Sequence, residues 1–339
     1  MDIQHLHSTA LRLVGQTGKG ILAADESNNT CNARFAQYGI PETEEMRRAY
    51  RELLFTTSNV EKYVTGVILY DETIRQRTKP MTKNKGDIGI SFPEYLSQKG
   101  ILSGIKVDEG LVEMPGYPGE TLTQGLNGLP ARLSEYKQMG ASFAKWRAAF
   151  KITANTPSDE AIRENAKVLA RYAKACQDEG IVPIVEPEVL MDGTHSILEA
   201  KKVLEKVLKI LFEELPKYFV ALDGLILKTS MVLSGKENGN RADSKEVGRL
   251  TVEVLKNSVP KNVAGVVFLS GGQTPEETTD NFREIAKLEP LPWPIAFSFS
   301  RALQNNALFV WSGKEENIKE AQNAFLERLQ ENSLADQGL

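Results

Sequence analysis

A lysine at the end of a short apolar run is the residue with the clearest capacity for chemistry. Residues 222–230 read LDGLILKTS, and an apolar run between glycine and polar residues predicts a short buried strand, here ending on Lys228. Burial disfavours the charged ammonium and lowers its pKa, which frees the amine to attack a carbonyl carbon. The alternative interpretation is a lysine whose side chain extends from the strand end into water.

Polar side chains also follow the other apolar runs of the chain. In order they are Asp25, Asp71, Lys106, Lys145 with Arg147, Glu186 with Glu188, Lys228, Ser270 with Gly271 and Gly272, and Arg301. Side chains two apart on a strand share a face, so Lys145 and Arg147 should point together, with Trp146 on the other side. Salt bridges at the rim of a sheet are the structural alternative. So many cations and acids at the strand ends favour a functional site over rim salt bridges.

These residue types suit the cleavage of a carbon–carbon bond through a Schiff base. Lys228 would form an imine with a ketone, and a second ammonium nearby, Lys145, would lower its pKa. A protonated imine withdraws electrons, so the bond beta to it breaks once a base removes the adjacent hydroxyl proton. Glu186 or Asp25 could supply that base, and Glu188 could handle the protons of the carbinolamine. This chemistry needs neither a metal nor a cofactor.

Two groups of residues predict sites for phosphate. Ser270, Gly271 and Gly272 follow a strand and precede a helix predicted to begin near Thr274, so backbone N–H groups and the helix dipole would face an anion. Arg301 opens the next helix, and barrels often bind phosphate at these two loops. A second anion site is predicted across the mouth, from Ser27, Thr30, Arg34 and Lys106.

The elements that must position these residues alternate between strand and helix. Apolar runs rich in Val, Ile, Leu and Phe occupy residues 20–24, 63–70, 102–107, 143–150, 181–186, 222–228, 263–269 and 294–299. Amphipathic stretches typical of helices occupy residues 42–55, 123–139, 158–179, 196–215, 244–259, 275–288, 301–309 and 314–330.

Strands apolar on both faces that alternate with helices indicate a parallel sheet of the α/β class. Eight such units predict a closed (β/α)₈ TIM barrel with its chemistry at the carboxyl ends of the strands. We expect one domain over residues 1–339, with an N-terminal helix and a short helical tail at 314–339. An open doubly wound sheet is the alternative, but no Gly-x-Gly-x-x-Gly follows the first strand.

Composition excludes several classes of function. The 339 residues carry a net charge of −4 and a mean hydropathy of −0.30, so no general basic field would attract nucleic acid or an anionic membrane. The sequence shows no membrane span and no signal peptide. Cys31 and Cys176 lack metal-ligand spacing, which favours reduced thiols and a cytoplasmic location.

Two features of the sequence suggest functions that the rest of the chain does not support. Residues 269–273 read LSGGQ, the signature of ABC-type ATPases, but the chain has no Gly-x-x-x-x-Gly-Lys-[Ser/Thr] loop. The three histidines, His5, His7 and His195, are too scattered for a zinc site or a Ser-His-Asp triad.

The chain resembles the class I, Schiff-base family of fructose-1,6-bisphosphate aldolases over essentially its whole length, and most of all the plant and cyanobacterial types. The matching segments are GKGILAADES at 18–27, GIKVD at 104–108, FAKWR at 143–147, PIVEPE at 183–188, LK at 227–228, LSGGQ at 269–273 and RALQ at 301–304. Each segment is short, but their order and their place at strand ends make the set specific.

The resemblance implies reversible cleavage of fructose 1,6-bisphosphate, without a metal, in glycolysis, gluconeogenesis or the Calvin cycle. It implies that Lys228 forms the Schiff base, that Asp25, Lys145 and Glu186 transfer protons and stabilise charge, and that Glu188 supports them. It implies a substrate contact for Arg147, a C1-phosphate site for Ser270, Gly271 and Arg301, and the opposite phosphate site for Ser27, Thr30 and Lys106. Family members are usually homotetramers.

The sequence departs from the family pattern at four points. Thr30 stands where Ser is frequent, Thr229 where Pro usually follows the lysine, and Ser300 where Gly or Ala is frequent. Many members end in a tail whose terminal Tyr moves a proton at the enamine carbon, but no Tyr follows Tyr218 here. We therefore expect enamine protonation to be slower or to use another donor, with cleavage intact.

Two rival functions remain open at this stage. One is a related Schiff-base lyase for another sugar phosphate, such as sedoheptulose bisphosphate, since the phosphate sites fix the two ends of the substrate and not its length. The other is a non-catalytic phosphosugar-binding or scaffold protein. The set of lysines and paired acids disfavours the second, because a binder needs no buried amine.

Overall fold

Eight parallel strands close into a barrel, in the order β1-β10-β9-β8-β7-β6-β3-β2, in the computed structural model, which describes residues 2–80 and 88–339. The strands of the described residues are β1 Gly20–Ala23, β2 Val64–Leu69, β3 Leu102–Lys106, β4 Leu111–Glu113, β5 Thr121–Thr123, β6 Ala141–Phe150, β7 Val182–Val189, β8 Ile226–Thr229, β9 Gly265–Phe268 and β10 Ile295–Phe299. Strands β4 and β5 form a separate antiparallel pair beside the barrel. The predicted single-domain (β/α)₈ fold is confirmed.

Helices surround the barrel and connect its strands. They are α1 Ile3–Val14, α2 Asn28–Ala36, α3 Glu44–Phe55, α4 Asp71–Arg75, α5 Phe92–Gln98, α6 Leu129–Gln138, α7 Asp159–Asp178, α8 Ile197–Glu214, α9 Ser244–Ser258, α10 Pro275–Ala286, α11 Arg301–Trp311 and α12 Ile318–Asp336. Short 3-10 helices lie at Val60–Lys62, Leu215–Tyr218, Leu222–Gly224 and Glu315–Asn317. Of the helices described, none has the length and apolar character needed to cross a membrane.

Each predicted apolar run overlaps one barrel strand, but some predicted bounds are wrong. Residues 222–228 are not one strand, because Leu222–Gly224 forms a 3-10 turn and β8 begins at Ile226. Residues 123–128 are not helical, because Gly128 adopts a φ of 66° and ends the loop before α6. The last helix begins at Ile318 and extends to Asp336, beyond the predicted 330. The prediction also lacks α2, α4, α5 and the β4–β5 hairpin.

The outer face of the barrel is apolar and packs against the helices. Trp146 on β6 is fully buried, and its ring lies 5.3 Å from that of Tyr172 on α7. Because side chains alternate along a strand, the neighbours Lys145 and Arg147 face inward, as predicted. Cys31 and Cys176 are buried, unpaired thiols.

The lower interior of the barrel forms a second apolar cluster, which α1 covers. Leu13 and Val14 of α1 pack there with inward-facing residues such as Ile21, Ile184 and Phe143. Phe143 lies between two glycines of neighbouring strands. A Cβ atom at Gly104 would come within 2.2 Å of its ring, and one at Gly66 within 3.1 Å. The ring therefore fills space that only glycines leave open.

We expect Gly104→Ala to destabilise the fold by about 1–3 kcal/mol, because the added methyl group overpacks a rigid interior. The matched control is Gly239→Ala, where a Cβ atom meets nothing within 4 Å, and we expect a change within about 0.5 kcal/mol there. Denaturant unfolding of both variants measures the difference. Equal stabilities would mean that the barrel adjusts around Phe143 without cost.

Candidate active site

A cavity of about 1350 Å³ opens at the carboxyl ends of the barrel strands. The predicted site residues that line it are Asp25, Ser27, Thr30, Arg34, Lys106, Lys145, Arg147, Glu186, Glu188, Lys228, Ser270, Gly271 and Arg301. Gly272 is the exception: it is not part of the lining, and a Cβ atom there would instead meet Met191 at 3.5 Å. The barrel thus brings together residues that are more than 200 positions apart in the chain.

A chain of alternating charges lies at the floor of the cavity. The Lys145 Nζ atom lies 2.8 Å from Asp25 Oδ2 and 3.1 Å from Glu186 Oε2. The other oxygen of Glu186, Oε1, lies 3.2 Å from Lys228 Nζ. All four side chains are buried, with at most 9% of each residue exposed. Two cations and two anions therefore neutralise each other away from water.

The pKa values of the two acids are held low by the two lysines. Burial raises the pKa of Asp25, but the charges of Lys145 and Lys228 outweigh burial and lower it to about 2. Burial likewise opposes ionisation of Glu186, yet the same two ammonium groups lower its pKa below the ordinary value. Both groups are carboxylates at neutral pH, and each can accept a proton.

Lys145 remains an ammonium ion in this setting. Burial lowers its pKa, but the charges of Asp25 and Glu186 exceed that effect and raise the pKa above the ordinary value. The predicted second ammonium is thus near Lys228, although Glu186 lies between the two lysines and pairs with both. Lys145 is placed to stabilise negative charge on the acids beside it.

A second layer of charges surrounds this floor. Arg147 donates from Nε to a carboxylate oxygen of Glu188. Burial lowers the pKa of Arg147, but the charge of Glu188 more than compensates and raises it. Lys106 Nζ lies 2.7 Å from Asp108 Oδ1 and donates to the Asp108 carbonyl. These pairs hold two cations at the cavity wall, where each can still reach a ligand.

The predicted C1-phosphate site has its cation and its loop in contact. The guanidinium of Arg301 donates to the carbonyl oxygen of Gly271, and Gly271 has a φ of 55°, a conformation that favours glycine. Helix α10 caps its own first turn, because Thr274 and Glu277 form a capping box. Helix α11, by contrast, has no side-chain cap. The start of α11 rather than that of α10 therefore offers free N–H groups to an anion.

The opposite anion site is organised around the start of α2. Ser27 caps this helix, since its Oγ atom accepts from the Thr30 N–H at 3.3 Å, and it lies 3.0 Å from Thr30 Oγ1. Arg34 pairs with Glu26 and donates to Gln304 and Asn305 of α11. The roles of these residues in phosphate binding stay predictions, and Arg34 is the one most engaged by other partners.

A buried network around Glu26 is not evident from the sequence. Its carboxylate pairs with Arg34 and with Arg51, at 2.8 Å, and accepts from Ser300 Oγ at 3.0 Å. Burial raises the pKa of Glu26, but Arg51 and Arg34 outweigh it and lower the pKa. The only sequence signal was an arginine on the apolar side of α3, in the run Tyr50–Phe55. This network ties the strand end that carries Asp25 to the loop that precedes Arg301.

Fold and site together define a class of protein: a barrel enzyme whose buried, ion-paired lysine faces a cavity lined by acids, cations and hydroxyl groups. In the described ranges, no three His, Cys, Asp or Glu side chains form a cluster that could hold a metal ion. A sequence model of the family "Fructose-bisphosphate aldolase class-I" matches residues 5–339. The chain belongs to this family, as its motifs predicted.

Two named relatives align with all or nearly all of the chain. A protein of Xanthomonas axonopodis pv. citri, named probable fructose-bisphosphate aldolase class 1, is 49% identical over 339 residues, which is 100% of this chain and 99% of that protein. The cytosolic fructose-bisphosphate aldolase 4 of Arabidopsis thaliana is 47% identical over 326 residues, covering 96% of this chain and 81% of that protein. Plant members are thus among the relatives, as the motifs indicated.

A solved structure shares the fold closely. The fructose-bisphosphate aldolase of Plasmodium falciparum, solved in complex with TRAP and a small-molecule inhibitor, superimposes with a TM-score of 0.93 at 45% identity. The match covers 99% of this chain and 95% of that one.

The buried charges should depend on one another for stability. Lys145→Met leaves Asp25 and Glu186 without their shared cation, and we expect a loss of about 3–5 kcal/mol in the free energy of unfolding. The matched control is Lys99→Met, which breaks the surface pair between Lys99 and Glu61 and should change stability by less than about 1 kcal/mol. Urea unfolding at pH 7 compares the two. Similar losses would show that the four charges do not stabilise each other.

Proposed function

We propose that this protein reversibly cleaves fructose 1,6-bisphosphate into dihydroxyacetone phosphate and glyceraldehyde 3-phosphate through an imine on Lys228. The observation that carries the proposal is the contact between Lys228 Nζ and Glu186 Oε1, 3.2 Å apart, in a cavity whose lining also includes Lys106, Ser270 and Arg301. Membership in the class I aldolase family supports the same reaction.

Imine formation begins at the amine of Lys228. Glu186 first accepts a proton from the paired Lys228 ammonium, and the free amine then adds to the ketone carbon. A proton moves from the nitrogen to the oxygen to give a carbinolamine, and Glu186 returns its proton to the hydroxyl group, which leaves as water and gives the protonated imine. Glu186 contacts the nitrogen directly, so it is placed to receive the proton from the amine and to return one to the departing hydroxyl. The sequence predicts that Glu188 handles the protons of the carbinolamine, but the Glu188 carboxylate pairs with Arg147. We therefore assign them to Glu186.

Cleavage follows from the electron demand of the imine. A base takes the proton of the hydroxyl beta to the imine carbon, the oxygen forms the aldehyde, and the electrons of the broken carbon–carbon bond enter the imine to give an enamine. Asp25 is ionised and pairs with Lys145, the cation that also pairs with Glu186. We assign the base to Asp25, with the Lys145 ammonium stabilising the oxygen as it loses its proton.

The phosphates would fix the substrate at its two ends. Arg301, Ser270 and Gly271 would hold the C1 phosphate, and Ser27, Thr30 and Lys106 the other one. Arg147 would contact the chain between them. Binding energy from both phosphates would orient the reacting carbon over Lys228, which is how remote groups raise the rate of a chemical step.

We also propose a homo-oligomer, a tetramer by family resemblance, and a cytoplasmic location. The buried, unpaired thiols and the cytosolic naming of two Arabidopsis relatives support the location. Sedimentation of the purified chain measures its oligomeric state.

Borohydride trapping tests the proposed chemistry. Incubation with dihydroxyacetone phosphate followed by reduction should place a stable adduct on Lys228, insensitive to EDTA, because the imine is reduced to an amine. We expect no adduct in Lys228→Met and a normal adduct in Lys236→Met, an exposed lysine of the following loop. Peptide mass mapping locates the adduct. Binding of the phosphosugar with no adduct would favour the non-catalytic binding function, and an adduct on Lys145 or Lys106 would reject the assignment of Lys228.

Substitution of each acid by its carboxamide distinguishes the proposed roles of Asp25 and Glu186. Asp25→Asn should trap dihydroxyacetone phosphate at nearly the normal rate, because imine formation does not need the base, while cleavage of fructose 1,6-bisphosphate falls by about 10²–10⁴-fold. Glu186→Gln should slow both reactions. Glu188→Gln serves as the matched control and should retain more of both. If Asp25→Asn slows trapping as much as cleavage, the division of roles is wrong.

A further inference from the structure

Arg328 of α12 lies outside the cavity lining but contacts both helices that follow the predicted C1-phosphate loops. It is 5% exposed. Its Nε atom donates to the carbonyl of Ala302 at 3.0 Å, and NH2 donates to the carbonyl of Pro275 at 2.7 Å and to Thr279 Oγ1 at 2.6 Å. One side chain thus joins the first turns of α10 and α11.

Those two turns directly adjoin the phosphate-binding residues. Ala302 follows Arg301, and Pro275 lies a few residues after the loop that contains Ser270 and Gly271. On the cavity side, the contact of Arg301 with the Gly271 carbonyl also links these two loops, which follow the adjacent strands β9 and β10. The contacts of Arg328 lie behind this link, on the side away from the cavity.

A buried cation is an unusual choice for this position. The amino ends of helices carry partial positive charge, so a guanidinium beside two of them is electrostatically unfavourable. Its carboxylate partner is Glu331, which is half exposed on the same helix. Helix packing alone could be provided by an apolar side chain without this cost. What an apolar side chain could not provide is three directed hydrogen bonds and a positive charge behind an anion site.

We propose that Arg328 is a positioning residue for the C1-phosphate site. It fixes the spacing between the starts of α10 and α11, and through them the spacing between the Ser270–Gly271 loop and the Arg301 guanidinium. Its charge adds to the positive potential that the bound phosphate meets. This inference rests on the function proposed above, because it concerns the phosphate of the same substrate.

The experiment compares two ketones that differ only in the phosphate. Dihydroxyacetone and dihydroxyacetone phosphate can both form the imine with Lys228, but only the second uses the phosphate site. In Arg328→Met, we expect the second-order rate of borohydride trapping to fall by about 10- to 100-fold for dihydroxyacetone phosphate. The rate for dihydroxyacetone should stay within about twofold of the unchanged protein, since the amine and its acids are untouched.

Two controls separate positioning from general stability. Arg283→Met removes another arginine of this region, one that donates to the Leu339 carbonyl from the last turn of α10. Glu331→Gln removes only the exposed partner of Arg328. Both should leave the preference for the phosphorylated ketone unchanged. Arg328→Lys keeps the charge but loses the planar donor geometry, so it should recover only part of the preference.

The outcomes are distinct. If Arg328→Met lowers both rates equally, Arg328 acts through stability and the inference is wrong; if it lowers neither, the inference is also wrong. Should this variant fail to fold, Thr279→Val removes a single partner of Arg328 and should lower the rate for the phosphorylated ketone alone, by about 3- to 10-fold. No shift in its preference would likewise overturn the inference. Absence of trapping in the unchanged protein would reject the proposed function instead.

Discussion

The whole structure depends on the contact of Lys145 with two carboxylates. Asp25, Lys145, Glu186 and Lys228 come from four different strand ends, and the closed barrel brings them into one set of contacts. Each charge is tolerated in the interior because its neighbour has the opposite sign. The same pairing keeps both acids ionised and Lys145 protonated, which are the states that the proposed proton transfer and charge stabilisation require. Stability and chemistry therefore rest on the same few contacts.

Two other groups of contacts hold the strand ends that carry these four charges. Phe143 lies two residues before Lys145 on β6 and fixes that strand against β2 and β3. The carboxylate of Glu26 connects the end of β1 with α2, α3 and the loop before α11. None of these groups needs to touch a substrate. They determine how accurately the reacting groups can be placed.

Most of the fold and much of the candidate site could be predicted from the sequence, because both follow local rules. Strand ends and the alternation of faces located Lys145, Arg147, Glu186 and Glu188, and the closed barrel confirmed the inference from eight apolar runs. Contacts between distant segments could not be predicted in this way. Nothing near Arg51 indicates that its partner is Glu26. The break at Leu222–Gly224 was missed because an apolar 3-10 turn has the composition of a strand. Gly272 lies outside the cavity lining, unlike Gly271. The sequence could not distinguish them, because adjacent glycines give no signal of which one faces a cavity.

The position of Phe143 has a consequence for how such a sequence can change over time. Its ring occupies space left by Gly66 and Gly104 on the two strands β2 and β3. A side chain gained at Gly104 fits only if the residue at 143 first becomes smaller, and one gained at Gly66 also needs room from Leu13, which lies 2.6 Å from an added Cβ atom. A smaller residue at 143 alone leaves a void. Positions 13, 66, 104 and 143 are therefore coupled, and single changes among them pass through intermediates of reduced stability. Among homologous chains, this predicts correlated substitution at these sites, independent of any selection on the proposed catalytic residues above them.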